Sequence, residues 1–113
     1  MRKSDKKLDN QLRFVLTQVC ETALKDIEGF LWLTHVVNYS NFPNSLKIVC
    51  VFDTNESLDC YLLSDDNNQL QSLIQSELQH LNIMVKHIKN HVLFDSEENC
   101  DKHHNGNWAK RLG

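Results

Sequence analysis

The stretch from Phe30 to Asp53, FLWLTHVVNYSNFPNSLKIVCVFD, constrains this chain more than any other. Its first arm, about Phe30 to Tyr39, is dense in β-branched and aromatic residues: Phe30, Trp32, Thr34, Val36, Val37 and Tyr39. Its second arm alternates. Leu46, Ile48, Cys50 and Phe52 fall on one face and Lys47, Val49, Val51 and Asp53 on the other, because strand side chains repeat every two residues. Both faces are apolar in the middle, as expected of a central strand. Between the arms, Ser40-Asn41-Phe42-Pro43-Asn44-Ser45 has turn chemistry: proline cannot donate to a ladder, and Asn and Ser bond their own backbone. The pattern predicts a β-hairpin with a wide turn and Phe42 tucked back onto the sheet.

Before the hairpin, Leu8, Leu12, Val15, Leu16, Val19, Ala23 and Ile27 recur at spacings of three and four. They predict one long amphipathic helix, from a cap at Ser4 or Asp5 to about Glu28, with Gly29 as the left-handed residue that ends it. After the hairpin, Asp53-Thr54-Asn55-Glu56 matches a capping box and predicts a short helix through Leu58, Tyr61 and Leu62. Ser64 to Asn68 breaks it. A second helix carries Leu70, Leu73, Ile74, Leu78 and Leu81, with Asn82 placed to close it. Ile83 to Ile88 alternates and reads as a strand, and His91 to Phe94 as its continuation or return. Asp95-Ser96-Glu97-Glu98 then repeats the capping chemistry of residues 53–56 and opens a helix to about His104. Trp108 is expected to dock the tail onto the body.

The fold class that follows is α+β: an antiparallel sheet of three or four strands, the long N-terminal helix packed on one face, and helices between and after the strands. At 113 residues, 41% of them hydrophobic, the chain makes one domain spanning 1–113, with residues 1–7 and 109–113 as frayed ends. There is no apolar run long enough to span a bilayer, and MRKSDKK lacks the apolar segment of a signal peptide. The expected location is therefore the cytoplasm, with Cys20, Cys50, Cys60 and Cys100 as reduced thiols.

Catalytic and ligand-binding motifs are weak. With glycine only at 29, 106 and 113 there is no phosphate-cradling loop or dinucleotide fingerprint. Cys100, His103 and His104 form C-x-x-H-H, in which two side chains share a helical face, but no second close pair completes a zinc site. Asp53, Glu56, Asp95, Glu97 and Glu98 would form an acid/base pair or a magnesium site only if the two strand ends met; helix capping accounts for Asp53, Glu56, Asp95 and Glu98 without a ligand. The expectation is no catalytic residue, no cofactor and no metal.

Charge is uneven although the net value is only −3. Arg2, Lys3, Lys6, Lys7 and Arg13 crowd the start, whereas no Lys or Arg lies between Lys47 and Lys86, where Asp53, Glu56, Asp59, Asp65, Asp66 and Glu77 gather. Such asymmetry suits a partner surface. The residues thus read as a non-enzymatic binding or regulatory module acting through protein contacts, including self-association. The alternative is a nucleic-acid-associated regulator using Arg2, Lys3, Lys6, Lys7 and Arg13 together with Lys110 and Arg111.

RKSDKKLDNQLR, FLWLTHVVNYSNFP, SLKIVCVFDTNE and FDSEENC…HNGNWAKRL resemble, over nearly the whole chain, a group of short gammaproteobacterial proteins labelled "Fis family transcriptional regulator". The label implies DNA binding through a basic C-terminal helix-turn-helix. In this chain the C-terminal third reads as strand from Ile83 to Phe94, followed by Lys102, Lys110 and Arg111 as its basic residues.

Overall fold

The computed structural model describes residues 2–113. The element order is α1 (Lys3–Asp26), β1 (Phe30–Val36), β2 (Lys47–Phe52), α2 (Asn55–Leu63), α3 (Gln69–His80), β3 (Val92–Ser96), α4 (Glu97–His104) and α5 (Trp108–Leu112), with 3₁₀ turns at Tyr39–Asn41 and Ile88–Asn90. Part of the start expected to fray, Met1, lies outside the described residues. None of the described helices is long and apolar enough to cross a membrane.

The hairpin forms as its pattern predicts. β1 and β2 pair antiparallel, with Phe30 opposite Phe52 and Val36 opposite Lys47. β2 is the central strand of the order β1-β2-β3, which is why both of its faces are apolar: Ile48, Cys50 and Phe52 are buried on one side, Val49 and Val51 on the other. The α1 stripe buries Leu12, Val15, Leu16, Val19 and Ala23 against the first of these faces, where Leu70, Ile74 and Leu78 of α3 join them. Phe42 tucks back and stacks on Tyr39, ring centroids 5.8 Å apart.

Two expectations are corrected. The sheet is mixed rather than antiparallel and has three strands, since β3 runs parallel to β2 with Ile48 beside Val92 and Phe52 beside Ser96. Residues 83–88 form no strand. The reason is topological: α2 and α3 carry the chain back to the start of β2, so the next strand must run the same way. β2 has β1 on one side and takes Val92–Ser96 on the other, so the alternating run at 83–88 does not pair with it. It buries Ile83 and leaves Met84 69% exposed.

Helix ends follow the expected chemistry only in part: α1 begins at Lys3, after Arg2 and ahead of the expected caps Ser4 and Asp5, with no side-chain cap bond, and ends two residues short of Glu28. α1 stops at Asp26, and Gly29 (φ +84°) makes the turn into β1, its carbonyl accepting the Asp53 N–H at 2.9 Å. Asn82 (φ 59°) takes the left-handed position after α3. The capping residues of α2 and α4 are Thr54 and Ser96, which accept the Ser57 and Asn99 N–H groups, rather than Asp53 and Asp95. Each aspartate instead accepts the N–H of the residue after it, Asp53 at 2.7 Å and Asp95 at 2.9 Å.

Candidate functional site

Because β2 and β3 are parallel, their two acidic ends do meet. Val51 pairs with Asp95 and Phe52 with Ser96, so α2 and α4 begin side by side at one edge of the sheet. Asn55 stitches them together. Its N–H donates to Glu98 Oε1 at 2.9 Å, its Nδ2 to Asn99 Oδ1 at 2.9 Å, and its Oδ1 accepts from Ser96 Oγ at 2.6 Å. The neighbouring carboxylates are engaged too. Arg111 grips Asp95 through both Nε and Nη2. Glu97 accepts the Trp32 indole N–H on one oxygen at 2.7 Å and the Trp108 indole N–H on the other at 3.0 Å, and the two indoles pack edge to face with centroids 4.9 Å apart.

This arrangement is poor acid/base machinery. A hydrolytic pair needs one carboxyl held protonated and one ionised. Here the bonds from Ser57 and Thr54 hold Asp53 below its ordinary pKa. Burial pushes Asp95 upward, but Arg111 and the Ser96 N–H together outweigh it and the net direction is down. The Asn55 N–H and Lys102 hold Glu98 down as well. All three therefore sit on the ionised side, spent on bonds within the fold. Cys50 lies in mid-sheet, and burial pushes it up to about 12, which keeps it a thiol at neutral pH.

The sequence-predicted metal candidates are not brought together. Cys100 is fully buried, His104 faces Arg111 at 3.3 Å, and His103 is exposed. Among the described residues no three His, Cys, Asp or Glu side chains gather as a metal-holding group.

The basic candidates fall into two separate places. Asp9, in the first half of α1, meets His35 and Tyr39 at the far end of β1, which puts Arg2, Lys3, Lys6, Lys7 and Arg13 toward that end. Arg111 meets Asp95, which pairs with Val51, which pairs with Trp32 near the start of β1. Lys110 and Arg111 thus lie at the opposite end of the sheet from the N-terminal cluster, and Arg111 is occupied by Asp95.

A second centre went unnoticed in the sequence. Asp9 gathers the Tyr39 hydroxyl at 2.6 Å, His35 Nε2 at 2.9 Å and Arg13 Nε at 2.9 Å. The hydrogen bonds from Tyr39 and then His35 pull Asp9 down to about 2, against the opposing effect of burial. Burial and the bond to Asp9 push the Tyr39 phenol well above its ordinary value. The cluster floors a cleft of about 610 Å³ between α1 and the edge strand, lined by Asp9, Arg13, Thr17, Tyr39 and the run Leu33 to Val37. Only the register of α1 on β1 places these residues together; the one available signal was Asp9 on the margin of an apolar stripe.

β1 has β2 on one side and, among the described residues, no strand on the other. The Cys20 thiol touches its backbone at Leu33. Leu31 and Val36 remain 40% and 42% exposed. Edge strands are commonly guarded by charge, proline or bulges; FLWLTHV carries no proline and no Lys, Arg, Asp or Glu, and its one guard of that kind is a bulge at its start, between Phe30 and Trp32.

Fold and site define an α+β protein with a mixed three-stranded sheet whose edge strand β1 has, among the described residues, no strand beyond it. Comparison with models of known protein families, with curated proteins and with solved structures finds no match in any of the three.

Proposed function

We propose that this is a small non-enzymatic binding or regulatory module that works through protein contacts at the outer edge of β1. The observation that carries the reading is the pairing of an edge free of charge and proline with an open cleft. An extended segment added to β1 would bond its free backbone groups and lie under Arg13 and Thr17 of α1. The rest of the reading is chemical: the acidic strand ends, which looked most reactive, are taken up by Asn55, Arg111, Trp32 and Trp108. Four free cysteines, two of them buried, suit a reducing compartment and support placement in the cytoplasm.

The test is capture from native extract on the immobilised full chain, beside a Val36→Lys variant, with the native mass of each recovered complex measured. Val36 ends the strand and is well exposed, so the lysine charges the edge without opening the core. The reading expects a species retained by the wild type and lost by the variant. Identical recovery by both, or recovery by neither, overturns it.

The exposed Lys3, Lys6 and Lys7 on the first turns of α1 favour one other reading, an anionic nucleic-acid partner. It resembles what the transcription-regulator label implies, though the C-terminal helix that would serve as a reader, α5, has five residues and its Arg111 is committed to Asp95. Phosphate contacts make affinity fall steeply with salt. Absence of a DNA or RNA mobility shift at low salt removes this reading.

A further inference from the structure

We infer that the segment that fills the β1 edge is β1 of a second copy of this chain, paired antiparallel about a two-fold axis so that two three-stranded sheets become one of six strands. This rests on the edge reading above and names its partner.

The argument is one of self-complementarity. A two-fold axis normal to the sheet keeps both α1 helices on the same face and runs them in opposite directions. α1 lies over β1, with its first half at the Tyr39 end and Asp26 close to Gly29 and the start of the strand. Antiparallel pairing brings the end of one β1 beside the start of the other. The first half of one α1, where exposed Lys3, Lys6 and Lys7 outnumber Asp5 and Asp9 and Arg13 is paired with Asp9, then comes alongside the last turns of its mate, where Glu21 and Asp26 are exposed and Glu28 follows just beyond the helix. Lys25 is the one cation in those turns. The helix ends are matched as well, since antiparallel neighbours set the positive N-terminus of each beside the negative C-terminus of the other. An isologous contact requires the same patch to serve both partners, and a basic-to-acidic gradient along one helix beside an open strand meets that requirement.

The strand itself is suited to the pairing. An axis at Thr34 sets Thr34 against Thr34 of the partner subunit and Val36 against Trp32 of the partner subunit. β-Branched and aromatic cross-strand pairs of this kind contribute favourably in antiparallel ladders. The half-exposed Leu31 and Val36, at the two ends of β1, gain cover in the dimer.

The test is sedimentation velocity of the full chain over a concentration series, with two edge variants. The expected result is a species of twice the chain mass. Thr34→Asp, which sets two carboxylates across the axis, and Val36→Lys each weaken it roughly tenfold or more. Added salt weakens it as well, because the α1 contacts are between exposed charges. Thr34→Cys is the positive arm: paired strands bring the two Cβ atoms about 5 Å apart, close enough for mild oxidation to give a covalent dimer through the introduced thiols. Circular dichroism and melting of each variant establish that it folds. A chain that stays monomeric at every concentration, or a dimer that neither edge variant weakens, overturns the inference. If the chain is monomeric yet a different protein is still captured in a Val36-dependent way, the edge reading stands and only the identity of its partner is wrong.

Discussion

The Asp9 cluster gives the sharpest quantitative test. Asp9 is held at about 2 against an ordinary 3.8, chiefly by the hydrogen bonds from Tyr39 and His35. A carboxylate with a depressed folded-state pKa stabilises the fold above its unfolded pKa, and the contribution fades as pH falls toward the folded value. Each tenfold difference in proton affinity between the folded and unfolded chain corresponds to about 1.4 kcal/mol. The Asp9 side chain is 14% exposed and the cluster lines an open cleft, so screening reduces the full linkage value to about 1–2 kcal/mol. In Asp9→Asn the side chain keeps its size and one accepting oxygen but loses its charge: with that oxygen in the Oδ1 place that Tyr39 and His35 share, the amide NH2 faces Arg13 where Oδ2 accepted before.

The expected outcome is a variant less stable than wild type by about 1–2 kcal/mol at pH 5 to 7, seen as a melting temperature several degrees lower in a domain of this size. The gap narrows between pH 4 and pH 2, because there the unfolded wild-type chain takes up a proton at Asp9 that the folded chain does not. Urea unfolding of both proteins at pH 7, 5, 4, 3 and 2.5 measures it. Taking the difference between the two proteins removes the common acid sensitivity arising from Asp53, Asp95 and Glu98. A gap that stays constant from pH 7 to 2.5 would mean that the ionised carboxylate is not what Tyr39 and His35 bind. A gap of zero at pH 7 would mean that the cluster does not hold α1 to β1 at all.

Three further substitutions probe the frame. Gly29→Ala is expected to cost about 2 kcal/mol or more in urea unfolding, because φ is +84° and an added Cβ would lie 2.5 Å from the Ser57 Cβ. Arg111→Ala leaves Asp95, only 15% exposed, without its cation and is expected to cost roughly 2–3 kcal/mol. The same variant should become sensitive to proteolysis after His104, and unchanged stability with an uncut tail would refute the pairing. Ser96→Ala removes the cap of α4 and the donor to Asn55 in a fully buried position, for about 1–3 kcal/mol; a double-mutant cycle with Asn55→Ala should show coupling, and strict additivity would refute the stitch.

The parts of the fold that were legible are those governed by local pattern. The α1 stripe, the alternation of Leu46 to Phe52 and the turn around Pro43 each carry their own period or chemistry, and each appears in place. Strand direction is different. Residues 83–88 alternate as well as β2 does, but alternation says nothing of whether a neighbour is vacant, and both sides of β2 were taken by β1 and β3. The Asp9 cluster was illegible for the same reason. Asp9, His35 and Tyr39 are 26 and 30 residues apart in their bonded pairs, and only the seating of α1 on the sheet brings them within reach.

The repeated Asp-Ser/Thr-x-Glu chemistry at residues 53–56 and 95–98 has its explanation in the parallel pair. A parallel crossover places the N-termini of the two following helices at the same edge, where each presents unpaired N–H groups and a partial positive charge. Two such ends side by side repel each other unless negative groups lie between them. Glu98 of α4 is such a group: it accepts the N–H of Asn55 in the first turn of α2, so one helix supplies part of the cap of the other. A carboxylate at this seam is therefore what a parallel β-α pair of this geometry calls for. Replacing Glu98 with Gln should weaken the seam between the two helices more than it weakens α4 alone. Hydrogen exchange at the first turn of α2 would show it, and exchange that quickened only within α4 would refute it.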